Sequence, residues 1–117
     1  MTATGLRAVA RPASLVMMSY GYIGSMRTRA GHRDEVVAIL LSGADKLRAA
    51  GCQLYAVGLS ESDDCTIWVT EIWATREQHD ASLQLPETRA AVGQAMPLLT
   101  GEFTRQELTI AGGLGVR

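Results

Sequence analysis

Residues Thr66–Pro86 read TIWVTEIWATREQHDASLQLP. Thr66–Trp73 is filled with β-branched and aromatic side chains, the composition of a strand. Thr75 then offers a capping hydroxyl, and Arg76-Glu77-Gln78 opens a polar helix predicted to run to about Gln84. A strand that passes almost at once into a helix gathers one acid, one large aromatic, one imidazole and one hydroxyl around its end: Glu71, Trp73, His79 and Ser82. Side chains at such a junction are held by a rigid scaffold and still open to a ligand.

Working back from this stretch, Cys52–Ser60 reads as a second strand, separated from Cys65–Trp73 by the polar turn Glu61-Ser62-Asp63-Asp64. Symmetric closure of that turn pairs Ser60 with Cys65, Tyr55 with Thr70 and Cys52 with Trp73. Alternation then places Leu54, Ala56 and Gly58 on one face with Ile67, Val69, Glu71 and Trp73, and Tyr55, Val57 and Leu59 on the other with Thr66, Trp68, Thr70 and Ile72. Both faces are largely apolar, so both are expected to be covered. Helices can cover one. The other, with Tyr55 and Trp68, is expected to pack on a second copy of the chain. The two cysteines fall at opposite ends of the hairpin, roughly 26 Å apart at the rise of a strand, which excludes a bond between them given the ~7 Å limit.

Tyr20–Thr28 reads as the first strand, with Gly24 marking a bulge or a close approach. Arg33–Ala50 reads as one helix, its stripe built from Val36, Val37, Leu40, Leu41, Ala44 and Leu47, with Gly51 as its stop. Pro86 suits the first turn of a later helix, Pro97 ends it, and Phe103–Ile110 alternates as the last strand. The order β-α-β-β-α-β is the split, ferredoxin-like arrangement: an α+β fold with an antiparallel sheet and helices on one face. Residues 1–19, with two arginines and no acid, are expected to be a flexible N-terminal tail; their apolar run is too short for a convincing signal peptide. The domain is expected over residues 20–111, with a flexible glycine-rich end at 112–117.

Composition narrows the function. The 117 residues suffice for one domain, and 47% hydrophobic with 20% charged content is ordinary for a globular chain. A formal charge of −1 gives no electrostatic case for nucleic acid. No apolar run approaches the ~20 residues that span a bilayer. Two cysteines and two histidines, without ligand spacing, argue against a metal site and suggest reduced thiols in a cytoplasmic protein.

Several pieces together resemble the antibiotic biosynthesis monooxygenase family. They are Arg29-Ala30-Gly31-His32-Arg33-Asp34-Glu35 before the first helix, Ala50-Gly51-Cys52 before the second strand, Thr70-Glu71-Ile72-Trp73, Ser82-Leu83-Gln84-Leu85-Pro86, and Pro97-Leu98-Leu99. The likeness runs from Tyr22 to about Thr109. His79-Asp80-Ala81-Ser82-Leu83 is most similar to members named as quinol monooxygenases. The resemblance implies a homodimer closing into an α+β barrel. It also implies oxidation of a quinol, anthrone or related polyphenol by O2 with no metal or flavin cofactor. Many relatives carry a histidine nine positions after the tryptophan. Here that position is Ser82, and the nearest histidine, His79, lies six after Trp73.

Oxygenation without a cofactor needs an apolar pocket for a flat phenol, a base to take its proton, and donors to steady the anion. His79 is the base candidate, since histidine titrates nearest working pH. Its helix follows Trp73's strand, which lets it lean over the pocket mouth. Glu71, a carboxylate among apolar neighbours, would orient His79 or act as base itself; the structural alternative is an ion pair with Arg89 or Arg105. Trp73 would stack on the substrate, and Ser82 would donate to one of its oxygens. Tyr22, Gly24 and Met26 share one strand face and would line the same cavity, with Met96 adding an adaptable wall. The competing reading is a non-catalytic module that binds or senses an aromatic ligand.

Overall fold

A computed structural model describes residues 18–116 of the chain. Its elements are β1 (Ser19–Thr28), α1 (Arg33–Ser42), α2 (Ala44–Ala49), β2 (Cys52–Leu59), β3 (Thr66–Trp73), α3 (Arg76–Ser82), α4 (Pro86–Ala95), a single 3-10 turn (Met96–Leu98) and β4 (Leu99–Ile110). The strands form one open sheet in the order β2-β3-β1-β4, every neighbouring pair antiparallel. The α+β, ferredoxin-like topology expected from the element order is the one observed. Most of the expected tail over residues 1–19 lies outside the described residues; Ser19 already belongs to β1.

Local signals set most boundaries. The Thr75 hydroxyl accepts from the Gln78 amide at 3.1 Å and caps α3. Pro86 occupies the first turn of α4, where its missing N–H costs nothing. Gly51 turns the chain into β2 at φ +111°, and a side chain there would collide with Gln78. Two boundaries differ most from expectation. The helix expected over Arg33–Ala50 is two, broken at Gly43, just after the Ser42 hydroxyl turns back onto the Ile39 carbonyl at 2.7 Å. The last strand starts four residues early, at Leu99; its pairing with β1 shifts between Met26 and Thr28, and Gly101 at φ +95° lies opposite that irregularity.

The β2–β3 hairpin corrects the expected face assignment. Tyr55 pairs with Glu71 and Val57 with Val69, one residue out of the symmetric register. The cause is the turn: Asp63 Oδ1 accepts from the amides of both Cys65 and Thr66 at 2.7 Å, which keeps Cys65 in the loop and delays the first pair to Ser60 and Thr66. A one-residue slip moves every side chain to the opposite face. Tyr55 therefore belongs to the helix-covered face beside Glu71, and not to the open face. A bulge between Cys52 and Leu54 returns Cys52 to its expected place opposite Trp73. Cys52 and Cys65 stand at opposite ends of the hairpin, both free.

The core has two parts. Val36, Ile67, Val69, Ala95 and Leu99 join α1 and α4 to the sheet, while Tyr20, Cys52 and Trp73 pack at the other end. Trp73 is completely buried. The opposite sheet face leaves Leu54, Trp68 and Leu108 exposed, Trp68 at 44%. Among the described residues no helix is long and apolar enough to cross a membrane.

Candidate active site

A cavity of about 780 Å³ lies between the helices and the covered face of the sheet. That volume suits a small organic ligand. Tyr22, Gly24, Met26, Glu71, Trp73, His79, Ser82 and Met96 all line it, so the residues singled out in the sequence converge on one chamber.

His79 is the best-defined group in this wall. It is 7% exposed, on the inner side of α3. Its ring lies 5.1 Å from that of Tyr20, 5.4 Å from Tyr22 and 5.7 Å from Trp73, centroid to centroid, stacked on Tyr22 and edge-on to Trp73. Nδ1 stands 3.0 Å from Asp80 Oδ1. An ionised carboxylate only accepts, so the contact places a proton on Nδ1, and in the neutral ring Nε2 keeps its lone pair. Nε2 makes no hydrogen bond among the described residues.

Glu71 is not paired with either arginine considered for it. Its Oε1 accepts from the Trp73 indole N–H at 2.8 Å, and Arg105 goes to Glu107 instead. Burial raises the Glu71 carboxyl above its ordinary range, against the opposing pull of the indole and of nearby His79. The group that orients His79 is Asp80, whose signal in the sequence was simply its adjacency.

Ser82 is buried, and its hydroxyl donates to the His79 carbonyl at 2.6 Å, inside its own helix. Gly24 makes room for a side chain: a Cβ there would stand 2.8 Å from Tyr22 Cε1. No bulge is formed at Gly24 itself. Met96 is half exposed at the mouth, where Leu83, Val92 and Phe103 are exposed too.

Besides Asp80, four groups at the site escaped sequence reasoning. Tyr55 enters the chamber through the slipped register, and burial followed by the Glu71 charge pushes its hydroxyl up to about 12. Tyr20, Arg76 and Glu107 come from three separate elements. The Tyr20 hydroxyl donates to Glu107 Oε2 at 2.8 Å, Arg76 Nη2 reaches the same oxygen at 2.9 Å, and Arg105 Nη2 lies 3.4 Å from it. Only the β1–β4 register, with Tyr22 opposite Glu107 and Tyr20 two pairs further on the same face, brings them together. Among the described residues no three metal-ligating side chains cluster.

This combination defines an α+β protein of ferredoxin-like topology with an aromatic-walled chamber beneath its helices. The family model for antibiotic biosynthesis monooxygenase matches residues 19–94. A crystal structure from Chloroflexus aurantiacus J-10-fl, assigned as an antibiotic biosynthesis monooxygenase, is 39% identical, with a TM-score of 0.73 over 81% of this chain and 95% of that one. The chain belongs to the antibiotic biosynthesis monooxygenase family. A similarly assigned protein from Caulobacter crescentus CB15 aligns at 19% identity and TM-score 0.73, covering 80% of this chain and 90% of that one. Rv0793 from Mycobacterium tuberculosis aligns at 21% and 0.71, covering 82% and 98%. At those identities the likeness is one of fold alone. None of the curated proteins matches the chain.

Proposed function

We propose that the protein is a cofactor-independent monooxygenase that oxidises a quinol, anthrone or related polyphenol with O2. The observation that carries this reading is His79: a buried imidazole in the cavity wall, surrounded by three aromatic rings, with Nδ1 on a carboxylate and Nε2 unpaired. Nε2 takes the phenolic proton, and Asp80 stabilises the imidazolium that results. The phenolate gives one electron to O2. The phenoxyl radical and superoxide combine at carbon to a peroxide, whose O–O bond then breaks; one oxygen stays on carbon as a carbonyl and the other leaves as water. The four electrons that O2 requires come from the substrate.

The walls suit a flat ring. Tyr22 provides aromatic surface, and Met26 and Met96 adaptable surface, while Trp73, completely buried, backs the wall edge-on to His79. Tyr22 and Tyr55 make no side-chain hydrogen bond among the described residues. Tyr55, held protonated, suits a donor to the substrate's second oxygen. In this reading two copies pack through the open sheet face around Trp68 and close the sheet into a barrel, which is supported by the apolar groups exposed there.

The test is oxygen uptake with a panel of reduced quinones and anthrones, with products weighed by mass spectrometry. Uptake with incorporation of one oxygen atom is expected; uptake no faster than in buffer counts against the reading. Ser82, standing where many relatives carry a histidine, favours the alternative of a binding or sensing module: its hydroxyl is turned to the His79 carbonyl, and His79 is the one histidine lining the chamber. Saturable quenching of tryptophan fluorescence by quinones, without turnover, would support that module instead.

A further inference from the structure

Around His79 the contacts close into a circuit. Nδ1 lies 3.0 Å from Asp80 Oδ1; the other Asp80 oxygen lies 3.9 Å from Arg76 Nε; Arg76 Nη2 is 2.9 Å from Glu107 Oε2; the Tyr20 hydroxyl donates to that oxygen at 2.8 Å; and the Tyr20 ring packs back on the imidazole at 5.1 Å. Arg76 also lies over the Tyr20 ring, 5.7 Å from its centroid. The circuit joins α3 to β1 and β4.

We propose that Tyr20, Arg76 and Glu107 are positioning residues that hold Asp80 and His79 in the one arrangement where the imidazole keeps its proton on Nδ1 and offers Nε2 to the chamber. None of the three is the base. They act through Asp80, and the inference rests on the base role given to His79.

Asp80 is 59% exposed on its side chain and has two oxygens, one for His79 and one turned to Arg76. An arginine left to itself would compete with the imidazole for both, since guanidinium grips a carboxylate with two parallel donors. Glu107 prevents this by taking the Nη2 end of Arg76. Tyr20 and Arg105 in turn fix Glu107, and the Tyr20 hydroxyl is the largest reason its carboxyl is held below the ordinary range. Exposed ion pairs stabilise weakly one at a time, so the circuit does little for the fold as a whole. What it can do is select a geometry, because its two ends are the buried His79 and Tyr20 rings. The other groups facing the imidazole are Tyr22 on β1, Trp73 and Glu71 on β3, and none of them bonds to Nδ1.

The test reads the tautomer directly. The chain has two histidines, so His32→Gln leaves a single imidazole signal from the full-length, 15N-labelled protein. With the ring neutral, His79 is expected to be chiefly the Nδ1–H tautomer. Glu107→Gln frees Arg76 to take both Asp80 oxygens, and the signal is expected to move toward Nε2–H; Tyr20→Phe, which keeps the ring, moves it the same way by less. In the same variants kcat is expected to fall about tenfold with KM within about twofold, the pattern of a disturbed transition state and intact binding. If Glu107→Gln does not fold, Tyr20→Phe decides. A tautomer unchanged in the folded variants overturns the circuit even if the protein consumes O2. A tautomer that moves in a protein with no oxygen uptake keeps the circuit and removes the monooxygenase reading.

Discussion

The imidazole of His79 stacks on the ring of Tyr22, centroids 5.4 Å apart and planes 23° from parallel. Tyr22 comes from β1 and His79 from α3, so this stack ties the helix to the sheet at the chamber wall. It fixes the ring plane, while Asp80 fixes which nitrogen carries the proton. In the proposed reaction, a base held in both respects loses little entropy on reaching its transition state.

His79→Gln keeps a side chain of similar bulk and removes the base. Oxygen uptake is expected to fall by more than about tenfold, within the range for loss of a general base, while the thermal melting point moves little. His79→Ala should show the same loss in rate and also a lower melting point, because three aromatic rings lose a neighbour. Steady-state oxygen consumption and calorimetry on both variants check this. Full activity in either excludes His79 as the base.

Gly24 sets the position of the Tyr22 ring. A Cβ there would stand 2.8 Å from Tyr22 Cε1 and 3.1 Å from the Thr104 carbonyl oxygen, and the backbone oxygen cannot swing away. Gly24→Ala is expected to push the tyrosine ring off β1 at a cost of about 1–3 kcal/mol. It should also weaken ligand binding, since the displaced ring enters the chamber. Chemical denaturation and quinone quenching of tryptophan fluorescence measure the two effects separately, and a variant with wild-type stability would show that Tyr22 is not held where the geometry puts it.

How far the sequence could be read follows from the range of each signal. The strand-to-helix passage at Thr75, the proline at Pro86 and the apolar strands are local, and each appears where expected. His79, Trp73 and Glu71 were legible as a group because they lie within nine residues of one another. Tyr55 was misplaced because its face depends on the parity of a turn. One Asp63 oxygen holding two amides reverses that parity, and no apolar pattern records it. Tyr20, Arg76 and Glu107 were invisible for a different reason: their meeting needs the pairing of the first strand with the last.

Asp63 therefore controls more than its own turn. Asp63→Ala leaves the amides of Cys65 and Thr66 without their acceptor and favours the symmetric four-residue turn, which would send Tyr55 to the open face. Lower stability and faster amide exchange at Cys65 and Thr66 are expected. The two backbone hydrogen bonds hold the Asp63 carboxyl below its ordinary range, so its contribution is complete above the unfolded pKa and is lost as pH falls through the folded one. The difference between variant and wild type should accordingly shrink in acid. A difference that stays constant across that range would mean the carboxylate is not what holds the turn.

Glu71 has the opposite sign. Burial raises its folded pKa above the ordinary 4.5, so the folded state holds the proton more tightly than the unfolded chain. Stability from this group is present below the unfolded pKa and is lost as pH rises through the folded value. Glu71→Gln keeps an acceptor for the Trp73 indole and removes the ionisation. The variant is expected to melt higher than wild type near neutral pH and to show no such advantage below about pH 4. If Glu71 also serves as a proton acceptor, turnover falls in the same protein, and stability and rate separate the two roles. Equal melting curves at all pH values would mean that Glu71 ionises as freely folded as unfolded.

The proposed dimer turns on which side chains remain on the open face. Trp68 is 44% exposed there, between Gly58 on β2 and Ser25 on β1, and Tyr55 is on the covered face. Trp68→Asp places a charge in the middle of the apolar surface, where a partner copy could neither pair nor hydrate it. Light scattering after size exclusion is expected to show a dimer for wild type and a monomer for Trp68→Asp. Tyr55→Phe should remain dimeric, and lose only its hydroxyl's part in ligand binding. If Tyr55→Phe dissociates and Trp68→Asp does not, two copies do not meet through this face. If the wild type is itself monomeric, Leu54, Trp68 and Leu108 stay in water and the sheet stays open in solution.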